Sequence, residues 1–219
     1  MEIGMRYRAA IFDMDGTILN TLEDLADSTN HILREYGMPA RSPEEIRRFV
    51  GNGIRRLLEQ AVAEGSTPET VNRVMESFVV YYREHCTVKT RPYEGIAETI
   101  RELRRLGVKT AVVSNKVDVA VQALIAQYFP GLFDAAAGEK AGIARKPAPD
   151  SVMAVLEELG IPKEDAVYIG DSEVDYLTSQ NAEMDAIMVD WGFRGEAFLR
   201  ECGATNIVRR PEELVAYFT

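Results

Sequence analysis

A chain of 219 residues, 46% apolar and 27% charged, has an ordinary soluble composition and can bury a full core, as one domain or as a domain with a sizeable insertion. Its formal net charge of −10, without a basic stripe, argues against nucleic acid or an anionic membrane as partner, though not against a small anionic substrate. No apolar run approaches the ~20 residues that cross a bilayer. Met1–Arg6, with Met5 as an alternative start, carries no signal-peptide core, and Cys86 and Cys202 lack metal-type spacing, so reduced thiols and a cytoplasmic location are expected.

The first apolar run, Ala9-Ala10-Ile11-Phe12, reads as a buried strand and leads into Asp13-Met14-Asp15-Gly16-Thr17. In a continuing strand both carboxylates would face one side and repel. A divalent cation is the natural compensation. Helical patterning follows. Thr21 with Asp24 resembles a capping box, and Leu22, Leu25, Ala26, Ile32, Leu33 and Tyr36 form a stripe closed by Gly37 and Pro39. Ser42, Pro43 and Glu45 open a second helix, which ends near Val50 at Gly51-Asn52-Gly53. A third runs from about Ile54 to Glu64, and Thr67-Pro68 opens a fourth through Tyr82.

From Thr90 onward strands and helices alternate. Helices are expected at 95–106, 117–128, 150–159, near 196–202 and after Pro211, with strands at 108–113, 133–137, 166–169, 185–189 and 206–208. That alternation implies right-handed crossovers and a parallel sheet covered on both faces. The expected architecture is an α/β core of residues 1–17 and 89–219, interrupted by a four-helix module at 18–88. Ligands of such sheets bind beyond the carboxyl ends of the strands. Four strands end in polar residues there: Asp13/Asp15, Ser114/Asn115, Asp171 with Asp175, and Asp190. Lys146 precedes a helix in Arg145-Lys146-Pro147.

These residues carry a resemblance. Asp13-Met14-Asp15-Gly16-Thr17, Ser114-Asn115, Lys146-Pro147 and Gly170-Asp171-Ser172-Glu173-Val174-Asp175 resemble, in order, the motifs of haloacid dehalogenase-like phosphatases. Val50-Gly51-Asn52-Gly53, Ser114-Asn115-Lys116 and Trp191-Gly192-Phe193 are similar to the phosphoglycolate phosphatases among them. The resemblance spans essentially the whole chain. It implies a Rossmann-like three-layer α/β/α core with a helical cap acting as a lid. It also implies an aspartyl-phosphate mechanism with Asp13 as nucleophile and Asp15 as acid/base. Mg2+ would be held by Asp13, Asp171 and the main-chain carbonyl of Asp15. Thr17, Ser114, Asn115 and Lys146 would bind phosphate, with Thr17 also fixing the Asp15 carboxylate and Gly16 letting backbone approach the phosphate. Asp175 would orient Lys146 or a metal-bound water; the plainer alternative is an acid favoured at a helix N-terminus.

In the cap, Gly51, Asn52, Gly53 and Arg55 are the substrate-facing candidates, Arg55 for a substrate carboxylate unless it is simply a solvated helix-start arginine. Lys116 is placed to reach the leaving group. The expected partner is a small phosphate ester, bound by a monomer or homodimer. Another phosphomonoester, a nucleotide, a pyrophosphate or a sugar-phosphate mutase reaction fits the same motifs. Asp15 argues against a dehalogenase, and the absence of Lys from residues 18–88 argues against a phosphonatase. A silent metal- or phosphate-binding regulatory module would not need the full acid set, and a receiver-like domain does not explain the insertion. One departure stands out. Where related chains place Gly after the Asp171 helix, this one has Glu183, so the helix ends differently or Asn181 takes the left-handed position.

Overall fold

The computed structural model describes residues 6–219; Met1–Met5, including the alternative start at Met5, lie outside the described residues. In chain order the elements are β1 (Ala9–Phe12), β2 (Leu19–Asn20), α1 (Leu22–Glu35), α2 (Pro43–Phe49), α3 (Gly53–Ala61), α4 (Pro68–His85) and β3 (Arg91–Pro92). Then come α5 (Ile96–Arg105), β4 (Lys109–Val117), α6 (Asp118–Tyr128), β5 (Ala135–Glu139), α7 (Asp150–Leu159) and β6 (Ala166–Gly170). The chain closes with α8 (Glu173–Asn181), β7 (Asp185–Val189), α9 (Glu196–Glu201), β8 (Ile207–Val208) and a 3₁₀ stretch, Pro211–Tyr217, where an ordinary helix is expected from the sequence. The fold divides into two compact units, Met1–Leu19 with Pro92–Thr219, and Asn20–Arg91.

The first unit is built on a parallel sheet of order β5-β4-β1-β6-β7-β8. Side chains alternate across it. Ala10, Phe12, Val112, Ile169, Ile187 and Val189 pack on one face with α5, α6 and the C-terminal 3₁₀ stretch. Ala9, Ile11, Ala111, Val113 and Tyr168 pack on the other with α7. Burial on both faces is why β1 reads as a continuous apolar run instead of alternating with polar residues. It also puts β1 at the centre, between β4 and β6, where strand order reverses.

Two local findings differ from expectation. Strand β4 does not stop at Val113; its pairing with β5 slips between Val113 and Val117, so Ser114-Asn115-Lys116 form an irregular segment inside the strand. Gly138 of β5 makes this possible, because a Cβ there would lie 2.5 Å from both the Lys116 carbonyl and the Asp118 Cα. The second concerns the end of α8. Glu183 itself takes the left-handed conformation, at φ 55°, while Asn181 stays helical and donates from Nδ2 to the Pro147 carbonyl at 2.8 Å. Glu183 N–H bonds Gln180 O and Met184 N–H bonds Ser179 O, a Schellman closure with Glu where Gly is usual. The Glu183–Lys163 ion pair is exposed on the Glu183 side and compensates little. Glu183→Gly is therefore expected to stabilise the fold by about 1 kcal/mol, read as a rise of about 2–4 °C in Tm.

In the second unit α1 packs along α4, and α2 and α3 complete a four-helix module. Ser42 and Glu45 form the expected capping box on α2, and Thr67 caps α4. Thr21 and Asp24 do not form one. Thr21 makes no capping hydrogen bond, and the buried Asp24 carboxylate instead accepts the N–H groups of Lys89, at 2.9 and 3.0 Å, and Thr90, at 2.8 Å. A tertiary contact has taken the acid that the local pattern assigned to the helix start. Among the described residues, no helix is long and apolar enough to cross a membrane.

Candidate active site

Asp13 sits where β1 leaves the sheet: its N–H makes the last ladder bond, to Ile169 O at 2.8 Å, and its side chain is buried. The turn beyond it hangs on the Met14 carbonyl, which accepts from the N–H groups of Thr17, Ile18 and Leu19. Gly16 has φ +95°, and a Cβ there would fall inside the Asp171 carboxylate. Its glycine thus admits Asp171. Thr17 differs from expectation. Its hydroxyl donates to Asp171 Oδ1 at 3.2 Å and does not fix Asp15.

Asp171 and Asp175 enter from the end of β6 and the first turn of α8. Ser172 and Asp175 form a capping box that holds Asp175 Oδ2 against the Ser172 N–H and hydroxyl, at 3.1 and 2.6 Å. Asp175 Oδ1 accepts from Lys146 Nζ at 2.7 Å. Both readings of Asp175, cap and orienter of Lys146, describe one carboxylate with two oxygens.

Asp171 has a collar that strand-end reasoning missed. Phe193 N–H donates to its Oδ2 at 2.7 Å, and Trp191 Nε1 donates to the Thr17 carbonyl at 3.0 Å. Gly192 lies against Asp171 so closely that a Cβ would overlap its side chain. The Trp191-Gly192-Phe193 motif is therefore a seat for Asp171. Gly192→Ala is expected to destabilise by about 1–3 kcal/mol through overpacking, and to lower turnover by more than the stability loss explains, measured as kcat per folded molecule. Asp190, the fourth polar strand end, instead accepts the Glu196 N–H at 2.5 Å, at the start of α9.

Lys146 is 3% exposed, and three acceptors surround its ammonium: Asp13 Oδ1 at 2.6 Å, Asp175 Oδ1 at 2.7 Å and the Tyr168 hydroxyl at 3.0 Å. Burial alone would lower its pKa, but the charges of Asp13 and Asp175 outweigh burial and hold it well above the ordinary lysine value. Asp13 moves the other way: burial, then the Asp175 charge, raise it to about 7 against the pull of Lys146. Burial and the charges of Asp175 and Asp13 also push Asp171 well above the usual carboxylate range.

The irregular segment of β4 supplies the other polar groups. Asn115 Nδ2 donates to the Lys146 carbonyl at 3.0 Å, tying down the loop that carries the lysine. Ser114 Oγ accepts the Lys116 N–H at 3.2 Å. Lys116 is buried and reaches Asp15 directly, Nζ lying 3.0 and 3.1 Å from the two carboxylate oxygens. Arg55 of α3 donates to Asn72 on α4 at 3.0 Å, while Gly51 and Gly53 both hold positive φ at the turn before it.

Asp13, Asp171 and Asp175 bring carboxylate oxygens within 4.8 Å of one another, all buried. Such a hard, oxygen-only cluster, in which burial and neighbouring carboxylates hold Asp13 and Asp171 above the usual carboxylate range, fits a divalent cation. All three acids also accept hydrogen bonds from the protein: Asp13 from Lys146, Asp171 from Thr17 and Phe193, and Asp175 from Lys146 and Ser172.

A buried carboxylate at the central strand end, a second acid two residues on, a lysine and a metal-type acid cluster fit a phosphoryl-transfer hydrolase on an α/β sheet. The chain belongs to the haloacid dehalogenase-like hydrolases, whose family pattern matches residues 10–189. It is similar to a phosphoglycolate phosphatase from Psychrobacter arcticus, 33% identical over 97% of this chain and 96% of that one. It is also similar to an N-acetylmuramic acid 6-phosphate phosphatase from Pseudomonas aeruginosa, 28% identical over 96% and 94%. A solved structure from Lactobacillus delbrueckii subsp. bulgaricus, provisionally described as a phosphoglycolate phosphatase, is 44% identical with a TM-score of 0.93, covering 98% of this chain and 99% of that one. The protein is a phosphatase of the phosphoglycolate phosphatase-like group.

Proposed function

We propose that this enzyme hydrolyses a small phosphorylated acid, phosphoglycolate first among them, through an aspartyl-phosphate on Asp13. The observation that carries the reading is the paired geometry at the end of β1, with Lys146 on Asp13 and Lys116 on Asp15. An Asp13 oxygen forms a bond to phosphorus as the P–O bond to the alcohol breaks. The departing oxygen takes the proton of Asp15, which then accepts a proton from water as that water attacks the aspartyl-phosphate, releasing inorganic phosphate and restoring Asp13. Asp13, Asp171 and the Asp15 main-chain carbonyl would hold Mg2+, which would supply Lewis-acid stabilisation of the phosphoryl group when bound. Lys146 holds Asp13 in its attacking orientation, and Ser114 and Asn115, with Thr17, bind the phosphoryl group. Lys116 beside Asp15 is the candidate for the substrate's anionic end. Gly51, Asn52, Gly53 and Arg55 are the candidates in the helical unit, which we take to be the lid. Cys86 and Cys202, neither in a disulfide, suit a cytoplasmic enzyme.

A phosphomonoester panel with and without Mg2+, ranked by kcat/KM, tests this. Preference for phosphoglycolate supports the substrate assignment. Preference for N-acetylmuramic acid 6-phosphate, the substrate named for one relative, would move it to a sugar phosphate, and metal-independent turnover would overturn the Mg2+ assignment.

A further inference from the structure

Tyr168 lies in the middle of the sheet and would ordinarily pass as packing. It is fully buried in β6, on the face covered by α7, beside Ile11 of β1. A buried phenol needs a partner for its hydroxyl, and a backbone carbonyl is enough. Here the hydroxyl does more. It accepts from Lys146 Nζ at 3.0 Å, while its own proton has the Val113 carbonyl at 3.3 Å and Asp175 Oδ1 at 3.4 Å as acceptors. Receiving from lysine is the shortest of its three contacts.

An ammonium has three N–H groups. Two carboxylates, Asp13 and Asp175, take two of them, and the phenol takes the third. Three acceptors fix the nitrogen in position and leave the N–H toward Asp13 a single direction; two would leave it free to swing between the acids. The third acceptor is also neutral. A carboxylate there would add a fourth negative charge to a cluster already carrying Asp13, Asp171 and Asp175. The phenol anchors the lysine without that repulsion, and its backbone partner on β4 ties the anchor to the sheet.

We infer that Tyr168 is a positioning residue for the phosphoryl transfer, fixing Lys146 so that it aims the attacking carboxylate of Asp13. The inference rests on the reading of Asp13 as nucleophile. Tyr168 is enclosed, so it cannot touch substrate, and its removal should act on kcat and spare KM.

Tyr168→Phe keeps the ring and removes the acceptor. The expected result is a kcat lower by about 10- to 100-fold, the scale of a small misplacement in an active site, with KM within about twofold. Tyr176→Phe is the control, since its hydroxyl donates to the Gly203 carbonyl at 3.0 Å and the variant loses one hydrogen bond away from Lys146. It should leave kcat unchanged. In a Lys146→Met background the Tyr168→Phe loss should largely vanish, because the phenol then has no ammonium to place. A Tyr168→Phe enzyme with wild-type kcat per folded molecule overturns the inference, as does a loss that persists undiminished without Lys146. Asp13→Asn assayed alongside separates the two layers. If it retains activity the nucleophile assignment fails, whereas a dead Asp13→Asn beside a wild-type-like Tyr168→Phe removes only the role of Tyr168.

Discussion

Asp13→Asn is expected to lose phosphatase turnover by about 10⁴- to 10⁶-fold, the scale seen when a covalent nucleophile is removed, while remaining folded. The amide keeps the shape of the carboxylate and can still meet the surrounding polar groups, so the loss should fall on kcat. Acid-quenched reactions should show no phosphoenzyme. The same variant should change how the metal-free protein responds to pH. Asp13 has its pKa raised to about 7, mainly by burial and the Asp175 charge, above an unfolded value of about 3.9. The folded form thus binds more protons than the unfolded form in that interval, and stability contributed at low pH is lost as pH rises from about 4 toward about 7. Removing the group should flatten that part of the curve. Urea midpoints at pH 5 and pH 7, without divalent cation, check it; an unchanged slope would place the repulsion on other groups.

Lys146→Met is expected to give the largest loss of stability, because it withdraws the cation from two buried carboxylates at once. Breaking a buried ion pair from one side costs about 3–5 kcal/mol, most of it the charge left behind. Activity should also fall by about 10²- to 10³-fold, the cost of losing one well-placed electrostatic partner. The stability deficit has a sign in pH. With the ammonium gone, Asp13 is pushed further above its ordinary value, so protonation relieves the folded state over a wider range. The gap between variant and wild type should therefore be wide at pH 8 and narrow at pH 5. A constant gap would mean that lost packing of the lysine stem, not uncompensated charge, dominates.

Much of the site is legible in the sequence because its acids stand at strand ends. An apolar run followed by a charged residue marks where a buried strand meets solvent, and Asp13 and Asp171 each carry that mark. Partnerships across long separations are not legible that way. Nothing local pairs Lys116 with Asp15, a hundred residues earlier, or sends the Thr17 hydroxyl to Asp171 and not to its neighbour Asp15. Tyr168 is the clearest omission: within Ala-Val-Tyr-Ile-Gly it satisfies every rule for a core strand, and only the geometry shows Lys146 above it. Thr21 and Asp24 fail for the opposite reason. Their spacing is correct for a cap, but two backbone N–H groups at Lys89 and Thr90 hold the acid more strongly than the helix start does. The Glu183 turn shows a third limit, since the missing glycine was visible but the hydrogen bond keeping Asn181 helical was not.

The central place of β1 has a consequence for the birth of the protein. Ile11 pairs with Ala111 on one side and Tyr168 on the other, so the first strand made must wait for partners roughly 100 and 160 residues downstream. At the ~5–20 residues per second of synthesis, that wait is on the order of 10 s or more. Until β4 is made the strand that will carry Asp13 has neither flank covered, and until β6 is made it has only one; the helical unit is complete in sequence by Arg91, ahead of both. A ribosome stalled before β6 would hold an unassembled active site, still lacking Tyr168, Asp171 and Asp175. Catalytic competence in this chain arrives late and all at once.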